Sequence, residues 1–347
     1  MAFQLRRVPN APWMGRDGHA MLAAKMGTAH DRLFVMGGWN PGDSFAEQEY
    51  FANTRTSDIW VCDSLADLER GKWTRAKREA QWSPRHSFGA TVDDDGYVNV
   101  YGSDVQDGYY VMDHWIGASP GAFRRIRPTN DFSRLPVTDR VLFIPAAIPT
   151  IDDTLMIGGE TMPSVVGPPH AQQRHTDIWG YRTNDGAWRQ VIANCPALPR
   201  SAVNKAVVHD VAGVKYLYLY TGGDYDQTDC DKEVWRCPVA NLATAGSWQM
   251  VTNNAPWVGR VYSCIESWNG ALWVIGGSRV GAAGSSANGN RGDIWYSLDH
   301  GATWTEAPFT IPHRHAHATT VIWNKIVISG GSGDDHRKND VWVIEDV

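Results

Sequence analysis

Residues 260–277 read RVYSCIESWNGALWVIGG, and residues 314–331 read RHAHATTVIWNKIVISGG. Each stretch opens with an arginine, passes through an apolar run, turns at an asparagine and ends its second apolar run on a Gly-Gly pair. Two short apolar runs joined by a turn are typical of a β-hairpin. A third run follows around Trp295 or Trp342. The pattern therefore predicts a small antiparallel sheet that occurs more than once.

The same order of features recurs along the whole chain. The opening arginines are 54 to 69 residues apart: Arg16, Arg85, Arg140, Arg200, Arg260 and Arg314. A long, nearly regular period indicates a repeat architecture in which each unit contributes one supersecondary element. No linker or change of composition divides the sequence, so we expect one domain spanning residues 1–347.

One unit departs most from the common pattern. In the second unit Tyr101-Gly102 stands in place of the Gly-Gly pair, and Tyr110 is predicted to stand in place of the tryptophan. The unit is still counted as a copy, because Phe88, the Asp95-Gly96 turn and the run from Tyr97 to Tyr101 keep the order. In the fourth unit Gly222-Gly223 is predicted to be the regular pair that closes the second strand.

A second sequence match predicts how the two ends of the chain are arranged. Residues 11–16 read APWMGR and residues 255–260 read APWVGR. The segment APWVGR follows residues 248–250, which are predicted to be the fourth strand of a unit. Residues 3–5 match that strand and stand upstream of APWMGR. The chain ends after a third-type strand at 341–344. We therefore expect the N-terminal strand to complete the last unit, which removes a free sheet edge.

The combination of an inner arginine, a Gly-Gly pair, an Asp/Asn-x-Trp segment and a fourth-strand tryptophan resembles the kelch repeat. This resemblance implies an all-β fold, a six-bladed kelch-type β-propeller closed by the N-terminal strand. Kelch propellers include binding modules, oxidases such as galactose oxidase and, with six blades, sialic-acid mutarotases. The resemblance therefore implies a fold without implying one function.

Propeller topology predicts which face carries the function. The loop that enters the first strand and the loop between the second and third strands emerge on the same face, so the arginines and the long insertions at 39–57, 160–176 and 278–292 share it. Arginine binds carboxylates through a planar fork, and a tryptophan can stack on a sugar ring. The predicted ligand-binding residues are the six arginines with Trp39, Glu160, Asp224 and His317. The expected ligand is an acidic carbohydrate, another carbohydrate-like molecule or a protein loop.

Three alternatives remain open from the sequence. Each arginine can instead pair with an acidic loop residue such as Asp104, Glu160 or Asp224, and His317, like His19, can be a buried core histidine. A sugar mutarotase, epimerase or polysaccharide lyase would need an acid–base residue, for which Glu160, Asp224 and His317 are the candidates. A phage tail or surface adhesion protein is also compatible with the composition.

The composition argues against several other classes of protein. The chain has 347 residues, 43% of them hydrophobic and 20% charged, with a net charge of −6, which argues against disorder and against nucleic acid as the main partner. The sequence has no long apolar run, no apolar leader, no CxxC pair and no metal-binding spacing. We expect a cytoplasmic or virion-associated protein without a signal peptide, membrane span, metal or cofactor. Oligomeric state is not indicated.

Overall fold

The structure is a computed structural model that describes residues 2–40, 54–102, 104–106, 109–126, 135–148, 153–162, 172–183 and 185–347. The predicted all-β class is confirmed, because the described residues form antiparallel sheets and very little helix. One short helix, α1 (Leu65–Glu69), is capped by Ser64, whose hydroxyl accepts a hydrogen bond from the Asp67 backbone N–H. None of the helices in these ranges is both long and apolar enough to cross a membrane.

The strands of the first half of the chain are β1 (Phe3–Val8), β2 (Ala20–Ala24), β3 (Arg32–Met36), β4 (Trp39–Asn40), β5 (Thr54–Arg55), β6 (Ile59–Cys62), β7 (Thr74–Lys77), β8 (Gly89–Val92), β9 (Val98–Tyr101), β10 (Asp104–Gln106), β11 (Tyr109–Tyr110), β12 (His114–Gly117), β13 (Phe123–Arg125), β14 (Ile144–Ile148), β15 (Asp153–Ile157), β16 (Glu160–Thr161) and β17 (Gln173–Arg174). Those of the second half are β18 (Ile178–Arg182), β19 (Ala187–Ile192), β20 (Val207–Val211), β21 (Val214–Tyr220), β22 (Val234–Pro238), β23 (Gln249–Thr252), β24 (Cys264–Trp268), β25 (Ala271–Ser278), β26 (Asn290–Ser297), β27 (Thr305–Glu306), β28 (Arg314–His315), β29 (Ala318–Ile322), β30 (Lys325–Ser329), β31 (Ser332–Gly333) and β32 (Val341–Asp346). Two 3₁₀ turns, Val239–Asn241 and Ala245–Ser247, precede β23.

These strands form a series of similar sheets in chain order. The larger sheets of the described part are β2-β3-β6-β7, β8-β9-β12-β13, β14-β15-β18-β19, β20-β21-β22-β23, β24-β25-β26 with β27 on β26, and β29-β30-β32-β1. The first strand of each sheet contacts the first strand of the next, and β29 also contacts β2. Strand β1 pairs antiparallel with β32 in continuous register from Phe3 opposite Asp346 to Val8 opposite Val341. The outer strand of the last sheet is therefore the first strand of the chain.

A repeated backbone feature links the inner strands. The residue two positions after each arginine has a positive φ between 50° and 56°: Gly18, Ser87, Leu142, Ala202, Tyr262 and Ala316. Neighbouring members of this set are joined by backbone hydrogen bonds: Ser87 to Gly18, Gly18 to Ala316, Ala316 to Tyr262, Tyr262 to Ala202 and Ala202 to Leu142. These bonds join the ends of neighbouring sheets to one another.

Tryptophans fill the space between adjacent units on the outer side. Trp13 packs edge-on against Trp73 with ring centroids 4.4 Å apart, and Trp257 packs in the same way against Trp304 at 4.3 Å. Both Trp13 and Trp257 belong to the matching APW segments and are fully buried. Such edge-to-face pairs add to the burial of apolar area, and the same pair occurs at equivalent places in the first and fifth units.

The structure corrects two details of the sequence alignment. In the second unit the tryptophan is Trp115 in β12 rather than Tyr110, because the hairpin of β10 and β11 lengthens the preceding connection. In the fourth unit Thr221 and Gly222, with φ of 60° and 92°, occupy the places of Gly37 and Gly38, so the predicted Gly222-Gly223 pair was shifted by one residue.

Candidate functional site

The six arginines are buried in ion pairs rather than exposed on a rim. All six are at most 2% exposed. In most units the guanidinium group makes two hydrogen bonds to the aspartate that precedes the third-strand tryptophan by two residues; the pairs are Arg16–Asp58, Arg85–Asp113, Arg140–Asp177, Arg260–Asp293 and Arg314–Asp340. Each guanidinium group also donates to two backbone carbonyl groups; for Arg260 these are Val258 O and Gly276 O, at 2.9 and 3.1 Å.

The indole N–H of the third-strand tryptophan completes each cluster. It donates at 2.8 Å to the same aspartate, for example Trp60 to Asp58 and Trp295 to Asp293. Burial alone would raise the pKa of Asp58, but the charge and hydrogen bonds of Arg16, with those of Trp60 and Thr56, bring it below its usual value. A buried carboxylate and guanidinium that satisfy each other in this way form part of the folded core.

The fourth unit holds its arginine more loosely. The closest carboxylate oxygens lie 3.7 Å from Arg200 Nε on Asp231 and 3.8 Å from Arg200 Nη2 on Glu233. Burial, and then the neighbouring Asp229 and Glu233, raise the pKa of Asp231 to about 6, although Arg200 acts to lower it. Arg200 therefore lacks the two-pronged contact of the other units.

These contacts favour the alternative in which the arginines stabilise the fold. The acidic residues that pair with them differ from those predicted from the sequence. The predicted partners Glu160 and Asp224 are wrong, because the carboxylates that bind the guanidinium groups stand in the Asp/Glu-x-Trp segment. The side chain of Asp104 lies outside the described residues. The sequence contained the signal for the true partners, since an acidic residue stands two places before tryptophan in every unit: Asp58, Asp113, Asp177, Glu233, Asp293 and Asp340.

Glu160 and Asp224 serve local structure. Glu160 is buried, and its carboxylate accepts hydrogen bonds from Gln172 Nε2 at 2.6 Å and from the Tyr225 backbone N–H at 3.0 Å. Asp224 accepts the Asp229 N–H at 3.1 Å and the Thr228 hydroxyl. Burial opposes ionisation of Asp224, but these hydrogen bonds bring its pKa below the usual value.

Trp39 lies where the sequence predicts, directly after the Gly-Gly pair. Its backbone pairs with Asp17 through two hydrogen bonds of 3.0 Å. The Arg337 guanidinium carbon lies 4.7 Å from its ring centroid, and Arg337 Nε donates to Asp17 at 2.9 Å. One face of Trp39 is thus in contact with a cation from the last unit. The insertions at 39–57 and 160–176 lie partly outside the described residues.

The two equivalent histidines differ in their hydrogen bonding. His19 is buried, and its Nε2 lies 3.0 Å from the Ser329 hydroxyl. His317 is 2% exposed, and among the described residues neither of its ring nitrogens has a hydrogen-bond partner. Burial, then the charge of Arg314, lower the pKa of His317 well below its usual value. Burial, then the charge of Arg16, lower the pKa of His19 to about 3. Both imidazoles are therefore neutral near pH 7, and His317 still has a donor and an acceptor to satisfy.

His317 lines a cavity of about 80 Å³ at the inner ends of the sheets. Aromatic and polar side chains share its wall: His19, Phe88, Phe143, Asn204, Tyr262 and His317. These residues stand two to four places after an arginine, so the repeat brings them together. Lysine, arginine, aspartate and glutamate are absent from the lining in the described part of the chain.

Burial and acidic side chains act on Tyr262 in this lining. Burial raises the pKa of Tyr262 well above its usual value, and the neighbouring Tyr225, Glu160, Asp226 and Asp17 raise it further. Tyr262, Phe88 and Phe143 were not predicted to line a site, although their fixed distance from the arginines was a usable signal in the sequence. Asp17 is itself paired with Arg337 at 2.9 Å, and the charge of Arg314 acts on His317, so charges of both signs border the lining.

Neither a metal site in the described residues nor a similar known protein indicates what this cavity binds. No cluster of three or more His, Cys, Asp or Glu side chains suited to a metal ion occurs in the described ranges. Comparison with models of known protein families gave no match, and no curated protein matches the chain.

Proposed function

We propose that the chain is a six-bladed, kelch-type β-propeller that binds a carbohydrate-like ligand in its axial cavity. The architecture is supported by the contacts between successive first strands, by the contact of β29 with β2, and by the pairing of β1 with β32. The sheet-to-sheet hydrogen bonds at the positive-φ positions support the same ring. In this arrangement the cavity lies on the propeller axis, at the face where the arginines enter the first strands.

The observation that carries the functional proposal is the wall of this cavity. Phe88, Phe143 and Tyr262 are aromatic residues of this wall, and Ser87 and Asn204 are polar residues of the same wall. Ligand sites commonly combine a mainly apolar wall with a few placed polar groups. A sugar ring has apolar C–H faces and hydroxyl groups at its edge, so it matches both parts of the wall.

Binding without turnover fits these side chains better than catalysis does. The enzyme alternative needs a carboxylate or imidazole that can exchange a proton near neutral pH. The carboxylate groups of Glu160 and Asp224 are engaged in the hydrogen bonds described above. The lowered pKa of His317 keeps its imidazole neutral across that range.

The proposal is tested by replacing Tyr262. Ala202 and Ala316 occupy the equivalent positions with φ of 56° and 50°, so alanine is compatible with the backbone at residue 262, where φ is 53°. The variant Tyr262→Ala removes one aromatic wall. The control is Tyr97→Ala, because Tyr97 is an exposed tyrosine in the turn between β8 and β9 and does not line the cavity.

Binding is measured on a glycan array and by calorimetry with the sugars it identifies. We expect at least one carbohydrate class to bind, Tyr262→Ala to weaken its binding about tenfold or more, and Tyr97→Ala to leave it unchanged. The proposal fails if no carbohydrate binds the wild-type protein, or if both variants lose affinity equally. Conversion of a bound sugar, followed by NMR of its anomeric signals, would support the mutarotase or epimerase alternative instead.

A further inference from the structure

The series of backbone hydrogen bonds between neighbouring units is open at one place. The positive-φ residues two positions after the arginines all line the cavity. Five of them donate their N–H to the carbonyl group of the equivalent residue in a neighbouring unit; the donors are Gly18, Ser87, Ala202, Tyr262 and Ala316. Between the second and third units the equivalent bond would run from the Leu142 N–H to the Ser87 carbonyl group. Neither of these two groups has a hydrogen-bond partner in the described part of the chain.

The second and third units are nevertheless in close contact elsewhere along the same seam. The hydroxyl oxygens of Thr91 and Thr154 lie 3.0 Å apart, and the Tyr101 hydroxyl group donates to the Leu155 carbonyl group at 2.7 Å. The two units have therefore not separated as a whole. The open bond is a local feature of the end of the seam that borders the cavity.

Ser87 brings a further polar group to this place. Ser87 and Leu142 are both only partly buried. The Ser87 hydroxyl group makes no hydrogen bond to the described residues, and it is not one of the partnerless side-chain atoms that are sealed from solvent. It is therefore within reach of solvent. Backbone polar groups in folded proteins nearly always have a partner, so this end of the seam calls for water or for a polar group of a ligand that displaces it.

The donor and the acceptor together suit a hydroxyl group. The Leu142 N–H can only donate and the Ser87 carbonyl group can only accept, so one partner for both must accept and donate at once. A carboxylate or a ketone oxygen only accepts, and an ammonium group only donates. A sugar hydroxyl group does both, and the Ser87 hydroxyl group can rotate to serve as a second donor or acceptor for it.

We infer that the seam between Ser87 and Leu142 is the subsite that binds one hydroxyl group of the ligand, with the Leu142 N–H donating to it and the Ser87 carbonyl group accepting from it. This inference rests on the proposed carbohydrate-binding function and deepens it, because it names the residues that recognise the polar edge of the sugar. Specificity then depends on where one hydroxyl group stands on the sugar ring.

Amide hydrogen exchange tests the open bond without altering the seam. Val-Leu occurs once in the sequence, at Val141-Leu142, so isotope labels at the valine carbonyl carbon and the leucine amide nitrogen give a single correlated NMR signal, that of Leu142. Labelling tyrosine instead of leucine gives the signals of Tyr101 and Tyr262, which the Tyr262→Phe variant tells apart. In the free protein the Leu142 amide should exchange about tenfold or more faster than the Tyr262 amide, which is bonded to the Ala202 carbonyl group.

The probes for binding are the methyl glycosides of glucose, galactose, mannose and N-acetylglucosamine. The one that binds most tightly should slow exchange of the Leu142 amide about tenfold or more. Its deoxy derivatives each lack one hydroxyl group, and its O-methyl derivatives each keep an acceptor but lose a donor. At one ring position both changes should weaken binding about tenfold or more, as measured by calorimetry.

The contribution of the Ser87 side chain is measured with Ser87→Ala. Ala202 and Ala316 occupy equivalent positions with φ of 56° and 50°, so alanine is compatible with the φ of 52° at Ser87. The control is Ser119→Ala, because Ser119 lies in the turn between β12 and β13 and outside the cavity lining. We expect Ser87→Ala to weaken binding of the same probe about threefold or more with an unchanged circular dichroism spectrum, and Ser119→Ala to leave it unchanged.

Several results would overturn this inference while carbohydrate binding stands. The first is a Leu142 amide that is as protected as the Tyr262 amide in the free protein. The others are an exchange rate that the bound sugar leaves unchanged, equal affinity for the sugar and all its deoxy derivatives, and binding of array glycans but of none of the methyl glycosides. Absence of binding by every carbohydrate overturns the proposed function, and this inference with it.

Discussion

Replacing Arg260 and Arg200 by methionine separates the contribution of the two-pronged ion pair from that of burial. Methionine has a similar length, fills space flexibly and makes no charged hydrogen bond. Both arginines are almost fully buried, and each donates to two backbone carbonyl groups. They differ at the carboxylate. Arg260 meets Asp293 at 2.7 and 2.8 Å, whereas the nearest acidic oxygens lie 3.7 and 3.8 Å from Arg200.

The magnitudes follow from this difference. Removing one partner of a buried ion pair costs about 3–5 kcal/mol, because the other charge stays buried without compensation. In Arg260→Met the Asp293 side chain, which is 12% exposed, keeps Arg291 Nε at 3.1 Å as a second cation, so we expect a loss at the lower end of this range, about 3 kcal/mol. In Arg200→Met, Glu233 is 39% exposed and stays hydrated, and Asp231 already has a pKa near 6 and can take up a proton. We therefore expect Arg200→Met to cost about 1–2 kcal/mol, mainly through its two lost backbone hydrogen bonds.

Urea unfolding, followed by tryptophan fluorescence and by circular dichroism, measures both values. The two signals should give the same transition, and the slope against urea concentration should match that of the wild type, so that the shift in midpoint reports stability. A loss below about 1 kcal/mol for Arg260→Met, or equal losses for both variants, would refute the idea that the two-pronged contact sets the cost.

Two further predictions concern Asp231 and the first strand. Burial raises the pKa of Asp231 to about 6, above the 3.8 of an unperturbed aspartate, so the ionised form destabilises the fold above pH 6. Asp231→Asn should raise the free energy of unfolding by about 1–3 kcal/mol at pH 8 and by almost nothing near pH 4. Urea midpoints of the wild type and the variant at both pH values measure this difference. An equal gain in stability at the two pH values would contradict the prediction. Deleting residues 2–8 should expose the edge of β32 and lower the urea midpoint, with aggregation visible by light scattering; a truncated chain as stable and dispersed as the full one would show that β1 contributes little.

The sequence alone predicted those features that depend on local pattern repeated many times. The arginines, the glycine pairs and the tryptophans recur at fixed distances from one another, so even the degenerate second unit could be counted. The prediction that Tyr110 replaces the third-strand tryptophan was wrong, because no local sequence pattern indicates how long the hairpin of β10 and β11 is. Only the hydrogen bond from Trp115 to Asp113 identifies the true equivalent.

The candidate site was harder to predict, because it depends on which acidic side chain forms an ion pair with each buried arginine. A lone arginine in a sequence is compatible with a ligand or with a structural partner, and the outcome here depends on Asp293 and its equivalents approaching across the sheet. Tyr262 and Phe143 belong to separate units and become neighbours only when the inner ends of the sheets face one another. The acidic surroundings of Tyr262 likewise come from residues far apart in the chain, such as Asp17 and Asp226.

Most of the inner arginines also take part in a seam between units. In four units, those of Arg16, Arg85, Arg200 and Arg260, the backbone carbonyl of the arginine accepts the N–H of a glycine from a neighbouring unit, as Arg85 does from Gly38 and Arg16 from Gly331. Unfolding of one unit therefore removes a backbone hydrogen bond from its neighbour. Loss of that bond also disturbs the arginine–aspartate ion pair beside it. We therefore expect the units joined by these described bonds to unfold together rather than one at a time.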